Sequence, residues 1–591
     1  MPFRSVMSHS HGGDVIAERL SRRGVSHLFT LCGGHISPIF TGAKEQGIEV
    51  IDVRDEVSAV FAADAMARMT GVPGVAAVTA GPGVTNTVTA VKNAQMAQSP
   101  VLIIGGAPAT VLKGRGALQD IDQISLMRPI TKWAASLSMV SELAPAIDHA
   151  LHVATSGTPG PVFLEVPVDL LYPQSIVEEW FIKESGLDKM SGVSAKALEL
   201  YLRAHLLRQF SAPYNPLKFT DTTLPLPDFS DPEKQIDQVA DLLTDAQRPV
   251  LVIGSQALVN YSPGEAESLA RAVEKLGIPT FLGGGARGLL GAENDLQFRH
   301  KRSRALRGAD LAIIAGFPFD FRMGYGRAFG AKTRVVSANL SREDLRKNRR
   351  PEVALNIHPG DFLRELSYRL GPAIERPAWF ADLRQREEAR DAEIHAMGEQ
   401  DAGGLVNPID FFERLDAKLD DKSVLVVDGG DFVATGAYVL RPRSPQAWLD
   451  PGVFGTLGVG GGFALGAALA RKDAEVWLIW GDGSSAYSLA EFDTCVRHGL
   501  APIAVIGNDG AWAQIAREQV EILGDDVATV LNRNDYHTVA KGYGAEGILV
   551  KRKSDINRAI DKAKKLASEG RPVVINLHIN QTDFRKGSIS M

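Results

Sequence analysis

The chain has 591 residues, which is too long for one hydrophobic core and predicts about three domains. Its hydrophobic content of 45% and charged content of 23% are those of a soluble globular protein, and its net charge of −6 excludes the basic excess that binds nucleic acid. Two cysteines, Cys32 and Cys495, exclude a disulfide framework and favour the reducing cytoplasm. A polar N-terminus and the lack of a long apolar run predict no membrane partner.

The first elements in chain order alternate between helix and strand. Helical spacing covers residues 14–23 and 57–69, and apolar runs at 25–31, 49–53, 74–79, 101–104 and 162–167 predict buried strands. Buried strands that alternate with helices predict a parallel sheet in an α/β domain. We assign residues 1–180 to this domain, and residues 181–235, which contain a proline-rich stretch, to a linker with one helix at 195–208.

Two further α/β domains are predicted downstream. Strands at 248–254, 279–282, 311–315 and 334–337 define a central domain at 236–375. A charged helical segment at 376–406 joins it to a third domain at 407–580, which has a strand at 424–428 and a glycine-rich helix start at 458–470. Residues 581–591 form a C-terminal tail.

Residues 480–512 carry the strongest chemical signal. An apolar strand at 476–480 runs into Gly481-Asp482-Gly483, and a second strand at 503–506 leads to Asn508. The carboxyl ends of parallel strands open at one edge of the sheet, so Asp482 and Asn508, 26 positions apart, can converge there. A carboxylate and an amide oxygen suit Mg²⁺ shared with a diphosphate at a helix N-terminus. The alternative is two ordinary strand-to-helix turns without a ligand.

This motif resembles the thiamine-diphosphate-binding motif of the acetolactate synthase and pyruvate decarboxylase superfamily. The resemblance implies that Asp482, Asn508 and the Gly510 carbonyl hold Mg²⁺ and that Ser484 touches the diphosphate. Asp509 stands where many members carry a second asparagine. The superfamily is built from two related domains around a third, with its site between the first domain of one subunit and the third of another. A homodimer or homotetramer is therefore implied.

Residues 54–68 resemble the superfamily segment that carries the catalytic glutamate. By that resemblance Glu56 hydrogen-bonds the ring nitrogen of the cofactor's aminopyrimidine. Thiamine becomes a nucleophile only when its thiazolium carbon loses a proton, which requires the imino tautomer, and a proton-sharing carboxylate stabilises that tautomer. The alternative is that Glu56 only caps a helix, because acidic side chains favour helix N-termini.

Other parts of the resemblance imply cofactor contacts. The glycine turn at 79–86 approaches the cofactor, the loop at 455–458 places a leucine beneath it and a carbonyl on its amine, and residues 430–431 meet the diphosphate. The implied cofactor-binding residues are Gly33, Gly34, Thr79, Pro82, Asn86, Gly430, Asp431, Gly455, Leu457, Gly481, Gly483 and Ser484.

Two further residues are predicted to act near the substrate. His35 lies on the glycine loop at 32–36 that faces the reactive carbon, where a histidine acts as acid or base near neutral pH; the alternative is a structural histidine. Gln119 matches a glutamine that reaches the substrate region in relatives. The whole pattern is most similar to the acetolactate-synthase-like 2-hydroxyacyl-CoA lyases, which implies cleavage of C1–C2 to formyl-CoA and an aldehyde or ketone.

Three other functions stay open. They are an acetolactate synthase-type 2-oxoacid decarboxylase or carboligase, an oxalyl-CoA decarboxylase-like enzyme, and a non-catalytic subunit that binds cofactor. A CoA thioester needs basic side chains for its phosphates, and the candidates are Arg299, Lys301, Arg302, Arg304, Arg307, Arg322, Arg585 and Lys586, each with a solvated surface as the alternative. The resemblance also implies that the tail at 581–591 closes over substrate.

Overall fold

A computed structural model describes residues 11–219, 232–580 and 582–585, which fall into two compact units. The first unit contains one six-stranded sheet in the order β2-β1-β3-β4-β6-β5, and every strand pair in it is parallel. Its strands are β1 His27–Thr30, β2 Glu49–Asp52, β3 Gly74–Val78, β4 Val101–Ala107, β5 Trp133–Ser136 and β6 Val162–Pro167. The predicted strands are therefore present, and β5, whose side chains are all only half-buried, gave too weak an apolar run to predict.

Helices cover this sheet, and their buried faces form its core. They are α1 Gly12–Arg22, α2 Ser37–Glu45, α3 Glu56–Thr70, α4 Pro82–Asn86, α5 Val88–Ala97, α6 Gln123–Met127, α7 Leu143–Thr155, α8 Gln174–Glu184 and α9 Val193–Ser211. The last of these, α9, covers the helix predicted at 195–208, and it packs on α8 through a small apolar cluster of Val177, Phe181, Leu202 and Leu206.

The second unit begins with the central domain. Its parallel sheet has the order β12-β11-β10-β7-β8-β9. The strands are β7 Pro249–Ile253, β8 Thr280–Leu282, β9 Gln297–Phe298, β10 Leu311–Ala315, β11 Arg334–Ala338 and β12 Val353–Leu355. The helices are α10 Pro232–Asp245, α11 Pro263–Leu276, α12 Arg302–Gly308, α13 Pro359–Arg369 and α14 Pro377–Gly398.

The third sheet, in the same unit, has the order β14-β13-β15-β16-β18-β17. Counted from its own first strand this is the order of the first sheet, so two domains share one topology. The strands are β13 Val424–Val427, β14 Trp448–Leu449, β15 Val476–Gly481, β16 Ile503–Asn508, β17 Glu546–Val550 and β18 Val573–His578. The helices are α15 Pro408–Asp416, α16 Asp431–Val439, α17 Val459–Ala470, α18 Asp482–Ser485, α19 Glu491–Arg497, α20 Ala513–Leu523, α21 Tyr536–Gly542 and α22 Ile556–Ser568.

Three parallel sheets flanked by helices confirm the predicted α/β fold class. Both cysteines are free thiols. Within the described ranges, no helix has the length and apolar character that crossing a bilayer requires.

Candidate active site

Asp482 lies where β15 passes into α18. Strands β15 and β16 pair in parallel with Gly481 opposite Gly507, which brings the residues that follow them to one edge of the sheet. The Asp482 carboxylate is 3% exposed and accepts hydrogen bonds from the amides of Gly483 and Gly510, both at 2.8 Å. Burial raises the pKa of Asp482. The predicted convergence is therefore present, around a buried carboxylate whose charge a cation would stabilise.

Asn508 supplies the second oxygen at this edge. Its side-chain nitrogen donates to the Asn534 carbonyl and to Asn576 Oδ1, both at 3.1 Å, which fixes the orientation of the amide. The Asn508 Oδ1 atom is buried and accepts no hydrogen bond from the described residues. An unpartnered buried oxygen beside a buried carboxylate fits a hard cation.

Gly510 and Asp509 complete the edge. Gly510 has a φ of +72°, and its carbonyl accepts from the Leu531 amide at 2.8 Å, which leaves one lone pair for a cation. Burial and the charge of Asp482 raise the pKa of Asp509 to about 7. A bound cation would stabilise the charged forms of Asp482 and Asp509, whose pKa values are both raised.

The turn around Gly483 is closely packed. A Cβ atom at Gly483 would overlap the ring of Trp512, so only glycine fits under that indole. The Ser484 hydroxyl donates to the Gly481 carbonyl at 3.2 Å and accepts from the Gly481 amide at 3.1 Å. Ser484 therefore begins α18 by local capping, and contact with a diphosphate stays a prediction.

The start of α16 faces two arginines. Gly430 has a φ of +114°, which suits glycine, and no atom would meet a Cβ added there. The Asp431 carboxylate pairs with Arg517 and lies 4.0 Å from Arg585 Nε. The described tail residues 582–585 thus end beside α16, while the rest of the tail that was predicted to close over substrate lies outside the described residues.

Leu457 is held against the end of β13. A Cβ at Gly429 would overlap Leu457 Cδ2, so the leucine side chain packs directly on that glycine backbone. Gly455 has a φ of +64°, and a Cβ added there would meet no atom. This loop leaves an apolar side chain and a free glycine backbone next to each other, as the predicted cofactor contact requires.

The first unit brings Glu56 and Asn86 together. Glu56 is 6% exposed at the start of α3, and Asn86 Nδ2 donates to Glu56 Oε2 at 3.0 Å. A Cβ at Gly83 would lie 3.4 Å from Glu56 Oε1, so this glycine keeps the second oxygen open. Pro82 begins the short helix that carries Asn86. The turn at 79–86 therefore orients the predicted catalytic carboxylate.

His35 is oriented by the same turn. Its Nδ1 lies 3.1 Å from Thr79 Oγ1, and burial lowers the pKa of His35 below its ordinary value. A Cβ at Gly33 would overlap Thr79, which explains why a glycine is required at position 33, whereas a Cβ at Gly34 would contact no atom. A histidine that is neutral near pH 7 can accept a proton at Nε2 in the tautomer whose Nδ1–H donates to Thr79 Oγ1.

Gln119 and Gln123 lie on either side of Gly81. Gln119 has a φ of +63°, and its carbonyl would lie 2.9 Å from a Cβ at Gly81. Gln123 accepts from the Gly81 amide at 2.9 Å and donates to Glu165 Oε2 at 2.7 Å. The sequence motifs did not indicate Gln123 or the buried Glu165, because both residues lie outside the glycine turn that Gln123 contacts.

A cavity of about 1030 Å³ lies in the second unit, between the central and third sheets. Its wall on the third domain includes Gly429, Gly430, Gly455 and Leu457. Eight arginine and lysine side chains but only two aspartates line it; the cations are Arg287, Arg299, Lys301, Arg302, Arg304, Arg307, Arg322 and Arg390. The cavity therefore connects the predicted cofactor residues to a basic surface that suits a phosphate-bearing molecule.

Arg302 is the cation in this cavity best suited to an anion. Its guanidinium donates to the Arg322 carbonyl at 2.8 Å and lies 5.3 Å from the centre of the Phe317 ring. Burial and the charges of Arg287 and Arg322 lower its pKa. Across the ranges that the structure describes, Arg302 forms no ion pair with a carboxylate, and the nearby charge of Asp320 is already paired with Arg322, so a bound phosphate would supply a direct counter-ion.

Comparison with known families places these features in a class. Three family models match: the N-terminal thiamine pyrophosphate binding domain over residues 10–126, the central domain over 236–366 and the C-terminal thiamine pyrophosphate binding domain over 428–577. The chain therefore belongs to the thiamine pyrophosphate enzymes, and the resemblance inferred from its motifs is confirmed.

Individual relatives narrow the class. The chain is 46% identical to the 2-hydroxyacyl-CoA lyase 2 of Danio rerio over 99% of this chain and 94% of that protein. It is 45% identical to the protein of the same name from Homo sapiens, over 98% and 92%. A probable acetolactate synthase of Mycobacterium bovis is 35% identical over 96% and 95%. Within the thiamine pyrophosphate enzymes the chain belongs with the 2-hydroxyacyl-CoA lyase 2 proteins.

Proposed function

We propose that this protein is a thiamine-diphosphate-dependent carbon–carbon lyase. It cleaves the C1–C2 bond of a 2-hydroxyacyl-CoA to formyl-CoA and an aldehyde or ketone, and it also runs the reverse condensation. The observation that carries the CoA part of this proposal is the basic cavity, because it begins at the predicted cofactor residues and includes Arg302, a half-buried arginine that forms no ion pair with a carboxylate among the described residues. A small 2-oxoacid carries no phosphate groups that such a basic surface could bind.

Mg²⁺ would be held by Asp482, by Asn508 Oδ1 and by the free lone pair of the Gly510 carbonyl. The buried unpartnered Oδ1 atom supports this assignment. When bound, thiamine diphosphate supplies a nucleophilic carbon and accepts the electron pair of the broken C1–C2 bond. The residues around it bind, orient and move protons.

Glu56 would hold a proton shared with the aminopyrimidine ring nitrogen. Its hydrogen bond from Asn86 keeps one carboxylate oxygen fixed while Gly83 leaves the other open. Leu457 would support the cofactor from below, and the Gly455 carbonyl would accept from its amine. These roles need a rigid carboxylate, which the turn at 79–86 provides through Asn86, and an apolar support, which Leu457 provides.

His35 would take the proton from the substrate hydroxyl as the C1–C2 bond breaks. A 2-oxoacid loses CO₂ at this stage, whereas a 2-hydroxyacyl-CoA must lose that proton, so a base is required. The hydrogen bond between Nδ1 and Thr79 supports this role, since it orients the ring and leaves Nε2 for the substrate. Gln119 would contact the substrate on the other side of the turn.

The CoA phosphates would bind at Arg302 and the neighbouring basic side chains of α12. A charged hydrogen bond contributes about 1.5–3 kcal/mol, or roughly a ten- to 150-fold change in binding. Arg302→Ala should therefore raise the KM for formyl-CoA by that factor. Arg334→Ala is the matched control, because Arg334 is an exposed arginine of the same domain that pairs with Glu352.

The protein is also proposed to be a cytoplasmic homo-oligomer, a dimer or tetramer. In α20 no residue is buried, and Ile522 and Leu523 are 72% and 73% exposed, next to exposed Val527 and Val530. An apolar surface of this kind is favourable to cover with a second subunit. Sedimentation of the wild type and of Ile522→Glu tests it, and a monomeric wild type contradicts it.

The decisive experiment compares two reactions of the purified protein. Incubation with formyl-CoA and a series of aldehydes should give 2-hydroxyacyl-CoA, and incubation with pyruvate should give little or no acetolactate. Acetolactate formation is the second candidate, favoured by the mycobacterial relative. Rapid acetolactate formation without any CoA product overturns the lyase proposal.

A further inference from the structure

Asp428 is a buried carboxylate that no motif singled out. It follows β13 at the edge of the third sheet where Asp482 and Asn508 also lie, and it is 3% exposed. Its oxygens accept from the Gly458 amide at 3.1 Å, from the Gly460 amide at 2.7 Å and from the Trp480 indole nitrogen at 3.3 Å. These three partners are all uncharged N–H groups.

Two of these groups belong to the start of α17. The first amides of a helix have no partner within the helix, and a negative charge is favourable at that end. Gly458, the residue before α17, has a φ of +91° and no side chain that could cap it. Asp428, which follows β13, supplies the missing cap and so fixes where α17 begins.

Leu457 precedes this cap directly. Its side chain packs on Gly429, the neighbour of Asp428, while the amide of the next residue is bonded to the Asp428 carboxylate. The end of β13 therefore holds Leu457 twice, through its side chain and through its backbone. Asp428, Gly429 and Leu457 all line the large cavity, so this arrangement faces the predicted cofactor position.

We propose that Asp428 is a positioning residue that, through the Gly458 amide, fixes Leu457 against the cofactor. The proposal rests on the proposed function in one respect, which is that Leu457 supports thiamine diphosphate. Because Asp482 and Asn508 anchor the diphosphate elsewhere on the edge, loss of Asp428 should disturb the geometry of the bound cofactor much more than its retention.

The test compares Asp428→Ala, Asp428→Asn and a control, Asp410→Asn. Asp410 is a buried carboxylate of the same domain, paired with Arg414 and Lys553 and outside the lining of the large cavity. In cofactor-free protein, hydrogen exchange of the peptide 455–461 should rise roughly two- to thirtyfold in Asp428→Ala, which corresponds to the loss of a helix cap. Asp428→Asn, which keeps one acceptor oxygen, should recover part of the protection.

The second readout separates positioning from folding. Calorimetry should give a Kd for thiamine diphosphate with Mg²⁺ within a few-fold of wild type for Asp428→Ala, while deuterium exchange at the reactive carbon of bound cofactor slows at least about tenfold. Asp410→Asn should leave the peptide and the carbon exchange unchanged.

Several outcomes would overturn the role. They are unchanged exchange of the peptide 455–461, equal losses of cofactor affinity and carbon exchange, or an Asp428→Asn variant that does not fold. No readout uses an acyl-CoA. A protein that exchanges the cofactor proton but makes no 2-hydroxyacyl-CoA would therefore refute the proposed reaction and leave the role of Asp428 standing.

Discussion

Replacing Asp482 with alanine removes the one carboxylate proposed to hold Mg²⁺. The side chain is buried, accepts the amides of Gly483 and Gly510 and shares its edge with the unpartnered Asn508 Oδ1. Breaking a buried charge pair by removing one partner costs about 3–5 kcal/mol, so the affinity for thiamine diphosphate in the presence of Mg²⁺ should fall by about a hundredfold to several thousandfold.

Calorimetric titration with thiamine diphosphate, with and without Mg²⁺, measures this loss. Asp509→Asn is the matched control one residue after Asn508, because it removes a neighbouring carboxylate but keeps the oxygen that accepts the Ala511 amide at 3.2 Å. The control should keep its Mg²⁺-dependent affinity within a few-fold. If Asp482→Ala binds the cofactor as tightly as wild type, with the same dependence on Mg²⁺, the metal assignment is wrong.

Three further changes test other parts of the site. Glu56→Gln should still bind cofactor but slow deuterium exchange at its reactive carbon by about 10²- to 10⁴-fold, and unchanged exchange would remove Glu56 from the mechanism. Activity that depends on neutral His35 should rise with pH through a pKa below the ordinary 6.5, because burial lowers that pKa; His35→Ala should lose this limb, and full activity in the variant would exclude the histidine. Burial raises the pKa of Asp428 from 3.8 to about 7, so the folded state binds this proton more tightly than the unfolded state, and stability from this group falls as pH rises between these values. Relative to wild type, Asp428→Asn should therefore be more stable at pH 8 than at pH 5, by at most about 3 kcal/mol in chemical denaturation, and a pH-independent difference would contradict the shift.

The sequence by itself determined the fold class and predicted most residues of the candidate site. Buried parallel strands read as continuous apolar runs, so β3, β4, β15 and β16 were predictable from local composition. The turns after β15 and β16 could be placed at one sheet edge because parallel strands end on the same side. The convergence of Asp482 and Asn508 at one edge was therefore predictable without a structure.

Only the tertiary structure decided which partners these groups have. The unpartnered oxygen of Asn508 results from contacts with Asn534 and Asn576, and the cap on α17 comes from Asp428, which follows β13. The cavity that joins Arg302 to Leu457 is likewise assembled from two domains of one unit. These contacts link residues far apart in the chain, and burial and hydrogen-bond geometry depend on packing that local spacing does not encode.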